Sequence, residues 1–212
     1  MSSKRFPGKV LAPFSGRPIV SCVVHSVLKV VALEQIFVLT STQPSDDPLV
    51  AYLNSIGVQI YRGSLENVFD RFRQCLMAFP CPWFVRICAD SPLLAPDLLQ
   101  QLIEHAIATD ADLVTNTFPR TFPKGYSVEV VRSQPFLAIN PEQLNAAERE
   151  HVTRFYYQNP EQFKIVNLSS KNPELAQTSL AVDTLEDLRR LEQESSSSLH
   201  AKLYQSKALQ PE

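Results

Sequence analysis

Two aspartates in this 212-residue chain stand where an apolar run ends: Asp90 after "WFVRICA" and Asp183 after "SLAV". In an open α/β sheet, ligands sit outside the carboxyl ends of the strands, so polar residues immediately after strands are the first candidates for chemistry. Paired carboxylates there suit a hard, oxygen-seeking cation such as Mg²⁺, itself bound to substrate phosphates. The chain opens "MSSKRFPGKVL", where Lys4, Arg5 and Lys9 surround a Pro-Gly turn and an apolar, helix-like run comes next. A loop that feeds a helix in this way has the make-up of a phosphate-gripping loop. Cations facing a Mg²⁺ site describe a nucleoside-triphosphate pocket.

Each of these residues has a plainer role open to it. Thr184 with Asp187 spells a capping box, so Asp183 and Thr184 can simply begin a helix, and a cap alone contributes about 1 kcal/mol. Asp90 can cap the turn "DSPLL" in the same manner, and Lys4, Arg5 and Lys9 can be a solvated basic terminus. His151 in "REHVT" suits a helix surface or a satisfied core position. The "DAD" at Asp110–Asp112 resembles the metal-binding DxD of glycosyltransferases, yet it precedes a strand rather than following one, which favours a solvated turn.

The elements that must position these residues alternate. A helix is expected over about 18–31, a strand at "QIFVLT", a helix through "SDDPLVAYLNSIG" and a strand at "VQIYR". A helix starting at Ser64 comes next, then the strand "PWFVRIC", the helix "PDLLQQLIEHAIAT" and the strand "DLVTNT". Short apolar strands separated by helices of roughly 10–15 residues mark a mostly parallel sheet covered on both faces. Beyond Phe118 the pattern reads as a Pro- and Gly-marked loop, a strand "VEVV", one helix over 141–158, strands "FKIVNLS" and "SLAV", and a closing helix "DTLEDLRRLEQE". One domain is expected over 1–194, with a serine-rich link and polar tail over 195–212.

A net charge of −2 gives no general pull toward nucleic acid or anionic membrane, and no basic stripe carries interleaved aromatics. The most apolar stretch, from Pro18 to Thr40, is interrupted by His25, Lys29 and Glu34, whereas a membrane span needs about 18 uninterrupted apolar residues. Cys22, Cys75, Cys81 and Cys88 form neither a CxxC pair nor a zinc spacing, which suggests reduced thiols in a cytoplasmic protein. "FPGK" breaks any signal peptide where its apolar core should begin.

Seven segments spread from residue 1 to residue 188 resemble, in order, those of the cytidylyltransferase family that includes the acylneuraminate cytidylyltransferases. The nearest branch is the one named for the spore coat polysaccharide biosynthesis protein SpsF. The segments are "MSSKRFPGKVL", "TSTQPSDDPLV", "GVQIYRGSLENVFDRF", "FVRICADSPLL", "TNTFPRTFPKGYSVEVV", "EREHVT" and "AVDTLEDL". The resemblance implies a three-layer α/β/α nucleotidyltransferase fold of the nucleotide-diphospho-sugar transferase type, with a mostly parallel mixed sheet. It also implies a reaction that joins CMP from CTP to a sugar acid or related sugar and releases pyrophosphate, with Mg²⁺ as cofactor and surface polysaccharide as the destination. Carried over by position, Arg5 and Lys9 hold the triphosphate and Ser3 is nucleotide-binding, with Arg5, Lys9 and Asp90 catalytic, and Asp90 and Asp183 coordinate Mg²⁺. Arg62, Gly63, Ser64, Asn67, Asp70 and Arg71 lie near the nucleotide, and Glu129 and His151 face the sugar. Relatives are often dimers, and residues 120–160 are the expected contact.

The chain departs from the family pattern in several places. Family members carry an apolar strand directly before the stretch that here begins at Met1. Lacking about five buried apolar side chains would remove on the order of 7–15 kcal/mol and leave two unpaired strand edges. An upstream start and a shortened, poorly folding product are the two expectations this raises. Lys124, Gly125, Tyr126 and Ser127 stand in place of the family's Asp-Gly-x-Asp; Ser179 and Ala181 replace an arginine and a threonine, and Leu185 replaces a proline. Three functions are therefore open: an active cytidylyltransferase, a non-catalytic or truncated nucleotide-binding paralogue, and a glycosyltransferase with its metal at Asp110 and Asp112.

Overall fold

The computed structural model describes Met1, residues 3–195 and residues 210–211. After the basic loop, the two short strands β1 (Pro13–Phe14) and β2 (Arg17–Pro18) form a hairpin that feeds helix α1 (Ile19–Val27). Then come β3 (Phe37–Ser41), α2 (Asp47–Ser55), β4 (Gln59–Gly63), α3 (Val68–Ala78) and β5 (Trp83–Ile87). The chain continues through α4 (Pro96–Ala108), β6 (Leu113–Thr115), β7 (Val128–Arg132), α5 (Ser133–Ala138), α6 (Ala146–Glu150) and α7 (Arg154–Gln158). The order closes with β8 (Ile165–Ser169), α8 (Leu185–Ser195) and β9 (Gln210–Pro211). Local chemistry sets the helix starts: Pro96 opens α4, where its missing N–H costs nothing, and the Asn67 side chain caps α3 by accepting from the Asp70 N–H.

The sheet is mixed and lies in two pieces. β3 and β4 pair in parallel, Phe37 opposite Gln59 through Ser41 opposite Gly63. The other piece runs β5-β7-β6-β8-β9, with β7 antiparallel to both its neighbours and β6 parallel to β8. Among the described residues β3 and β5 each leave one edge without a strand partner. Helices cover the division on both sides. Ile19 and Val23 of α1 join the core under β6 and β7, while Val20 and Val24 join the one around Leu49, Leu53 and Val58. On the opposite face the Phe72 ring of α3 lies 5.7 Å from Phe84 in β5, and Phe79, just past α3, lies 4.6 Å from Phe37 in β3.

Three expectations need correction, the first being that α3 starts at Val68 behind its Asn67 cap rather than at Ser64. The helix expected over 141–158 is broken into a 3₁₀ turn at Pro141–Gln143, α6 and α7. The reciprocal box between Asn145 and Glu148 starts α6 afresh, and at the bend Val152 and Thr153 turn inward and are buried. "SLAV" forms no strand beyond a single bridge between Ser179 and Lys124. α5 comes directly after β7, with Pro135 in its first turn, where the fixed φ of proline is accepted. The serine-rich link lies outside the described residues, although Gln210–Pro211 pairs antiparallel with Leu168–Ser169 of β8. No helix among the described residues is long and apolar enough to cross a membrane.

Candidate active site

The basic loop, the end of β5 and the segment before α8 meet at one edge of the sheet. Gly8 takes a left-handed φ of 73°, the turn that lets the chain double back into the 3₁₀ turn Lys9–Leu11. Ser3 accepts a hydrogen bond from the Phe6 N–H at 3.3 Å, bracing the loop from within. From this turn the Lys9 ammonium donates to Asp90 Oδ2 at 2.7 Å and to Asp183 Oδ1 at 3.1 Å. Arg5, two-thirds exposed, reaches the same Asp183 Oδ1 at 3.1 Å, and Lys124 donates to Asp183 Oδ2 at 2.5 Å. Burial pushes the Lys9 ammonium down, but its bonds to the two carboxylates outweigh that and raise it above its ordinary value. Burial likewise pushes Asp183 up, yet the bonds from Lys124 and Lys9 and their charges hold its carboxyl well below the usual range.

The two acids are set by the backbone beneath them. The Asp90 carbonyl accepts from the Val182 N–H at 2.9 Å, which locks the end of β5 to the residue before Asp183. Capping is done by others. Asp187 Oδ2 accepts from the N–H groups of Asp183 and Thr184 and from the Thr184 hydroxyl, while Thr184 Oγ1 accepts from the Asp187 N–H at 3.1 Å. The Asp183 carboxylate is thereby left to the site. Asp90 makes no capping bond either: its oxygens meet Lys9 and, at 3.3 Å, the Ser91 hydroxyl. One ammonium spanning both carboxylates shows that their oxygens converge within reach of a single cation. This all-oxygen pair fits Mg²⁺, which ordinarily takes one or two carboxylates and completes its shell with phosphate and water.

Beside these, the structure builds a buried network around Glu129, whose other members, Arg86, Thr153 and Tyr157, sequence reasoning did not single out. Glu129 on β7, buried, lies in register with Arg86 on β5 and with Thr115 on β6. Its Oε2 accepts from Arg86 Nη1 at 2.7 Å, and its Oε1 accepts from the Thr153 and Tyr157 hydroxyls, each at 2.6 Å. Tyr157 also lies 3.1 and 3.0 Å from the Thr115 and Thr117 hydroxyls, with Phe118 stacked on its ring. Burial and the neighbouring Glu129 charge push the Tyr157 hydroxyl well above its ordinary value. The signal that could have found this network is Arg86, a charge in the middle of the apolar run "WFVRIC". Within β5 the alternation of side chains sets Arg86 apart from its neighbours Val85 and Ile87, and Asp90 stands three residues past the strand's end.

The remaining candidates are distributed around it. His151 is exposed at the end of α6, and its neighbour Thr153 supplies the contact to Glu129. Arg62 ties the ends of β3 and β4 together, donating to the Ser41 and Gln43 carbonyls and pairing with Asp47 at 2.7 Å. Ser64 accepts from the Asn67 N–H, Asn67 caps α3, Arg71 donates to the Ser64 carbonyl, and Asp70 accepts from Gln74 at 3.4 Å. Gly63 gives the Arg71 stem its room, since a Cβ there would meet Arg71 Cγ at 2.9 Å. Asp110 lies at the start of β6, the edge opposite the β5 carboxyl end, with its carboxylate against Lys164 at 2.5 Å and Arg132 at 3.2 Å.

The profile of the cytidylyltransferase family matches residues 1–210. The chain belongs to this family. It is 30% identical to the spore coat polysaccharide biosynthesis protein SpsF of Bacillus subtilis over 195 residues, 88% of this chain and 79% of that one. Its fold is shared by a cytidylyltransferase from Leptospira borgpetersenii serovar Hardjo-bovis, with a TM-score of 0.89 and 24% identity over 97% of this chain and 89% of the other. It is shared more distantly by a CMP:2-keto-3-deoxy-manno-octonic acid synthetase complexed with CTP, at a TM-score of 0.66 and 16% identity over 93% and 95% of the two chains. The fold of this cytidylyltransferase is therefore the nucleotidyltransferase fold of the nucleotide-diphospho-sugar transferase type.

Proposed function

We propose that this cytidylyltransferase transfers CMP from CTP to a hydroxyl of a sugar acid or related sugar, releasing pyrophosphate, in the making of a surface polysaccharide. The observation that carries the reading is the convergence of Asp90 and Asp183 on one ammonium, Lys9, at the mouth of a basic loop. In the reaction an acceptor oxygen bonds to the α-phosphorus as the bond to pyrophosphate breaks, and catalysis is mainly positioning and charge stabilisation. Lys9 and Arg5, released from Asp183, would pair with triphosphate oxygens, and Ser3 would keep the loop in its turn. Asp90 and Asp183 would hold Mg²⁺, whose chemistry when bound is to neutralise charge on the phosphate oxygens. Glu129 would act through its partners, fixing Arg86 and Tyr157 at the acceptor side. Asp110, paired with Lys164 and Arg132 on the far edge, gives no support to a glycosyltransferase metal site.

Pyrophosphate release tests this directly, measured with Mg²⁺, each of the four nucleoside triphosphates and a panel of sugar acids. Release with CTP and one or more sugar acids is expected. Release with another nucleotide in preference to CTP, or none with any acceptor while CTP still binds, would overturn the reading in favour of a different donor or a binding role.

A further inference from the structure

The Asp183 carboxylate is saturated by cations: Lys9 and Arg5 on Oδ1, and Lys124 on Oδ2. The first two belong to the loop assigned to the triphosphate, and they leave Asp183 when they engage it. Lys124 does not belong to that loop. Its N–H donates to the Thr178 carbonyl at 3.0 Å, and its own carbonyl accepts from the Leu180 N–H at 2.6 Å. Gly125 beside it has a φ of 103° and packs so closely that a Cβ would come within 2.6 Å of the Leu180 carbonyl carbon. The backbone of Lys124 is thus bolted to the segment that leads into Asp183, so its ammonium reaches that carboxylate independently of the basic loop.

Charge governs how a metal can reach this carboxylate. The directly paired side chains are three cations, Arg5, Lys9 and Lys124, against two carboxylates, Asp90 and Asp183, a net of +1. Asp187, four residues past Asp183, gives its Oδ2 to the helix cap and lies 3.8 Å from Arg190, which also pairs with Glu194 at 3.1 Å; it makes no ion pair with the three cations of the cluster. A divalent cation approaching the free protein meets a positive cluster and has to displace Lys124 from Asp183. We infer that Lys124 keeps divalent cations off Asp183 in the free protein, so that the metal arrives only when the negative charge of a nucleotide has reversed the sign of the cluster. The inference rests on the reading of Asp183 as a cation ligand, and its test requires no turnover.

Mn²⁺ binding to the nucleotide-free protein, monitored by the loss of the free-ion electron paramagnetic resonance signal, reads the effect. Lys124→Gln lowers the net charge of the cluster to zero and frees Oδ2, and it should bind Mn²⁺ on the order of tenfold more tightly than the unaltered chain. Lys124→Arg keeps the charge and should bind as weakly as the unaltered chain. Adding Asp183→Asn to Lys124→Gln should abolish the gain. Equal affinity of Lys124→Gln and the unaltered chain, tight binding by Lys124→Arg, or a gain that survives Asp183→Asn would each overturn the inference. Lys124 is half-exposed, so glutamine removes little packing and the comparison is made on a folded protein. A tenfold gain in a protein that transfers no cytidylyl group would keep the gate and discard the activity; transfer without the gain would do the reverse.

Discussion

The Glu129 carboxylate gathers donors from three separate places: Arg86 on β5, Thr153 in the bend before α7, and Tyr157 within α7. Such a group is expensive to alter, because removing one charge of a buried pair leaves the other without compensation. Glu129→Gln keeps the shape and deletes the charge; it should lower stability by roughly 2–4 kcal/mol in urea unfolding, the upper range of a broken buried pair being softened by the partial exposure of Arg86. A loss below about 1 kcal/mol would mean that Arg86 finds water instead. At this scale the sequence was partly legible. Asp90 and Asp183 stood out because strand ends are where ligands bind, and Lys9 because a Pro-Gly turn aimed it. The Thr184–Asp187 capping box was also legible from residue types; what could not be read was whether Asp183 and Asp90 would join a cap or stay with the site. Thr184 and Asp187 cap α8 and leave Asp183 free, a partition decided by rotamers rather than by residue type.

Elements carry a different lesson. The alternation of strands and helices was legible as far as β6 because each run was apolar with the right period and was closed by glycine, proline or a capping residue. Legibility failed where a short segment owes its shape to distant partners. Residues 141–158 have continuous helical character, and the break at His151–Thr153 arises because Thr153 serves Glu129, twenty-four positions away. "SLAV" has strand composition but is held by one bridge to Lys124 and by the Asp90 carbonyl. Gly125 is the hinge pin of that arrangement, and Gly125→Ala should destabilise the fold by roughly 2–4 kcal/mol in thermal unfolding, through positive φ and steric overlap together. An alanine tolerated without loss would show that the segment before Asp183 can retreat, and with it the rigidity assigned to Lys124.

The molecule as a whole is a sheet in two pieces held together by helices. β6 and β7 are buried almost throughout, whereas every residue of β5 and the first three of β3 are only half-buried. Amides on the open edges of β3 and β5 lack a ladder partner, so they should exchange with deuterium at rates at least about tenfold above those of β7. Equal protection of β5 and β7 would show that the helices alone seal the division. Nothing in a linear reading of hydrophobic periods shows that two neighbouring strands fail to meet, because that is a property of pairing across the chain.

The division also sets how the two sides can move. Arg62 and the capped start of α3 lie on the β4 side, while Asp90 and Asp183 lie on the β5 side, and the basic loop rests between α1 and both acids. A ligand gripped by both sides would act as a cross-brace on a frame that is open along one joint. Its binding would then register less as a change in either half than as a stiffening of the angle between them.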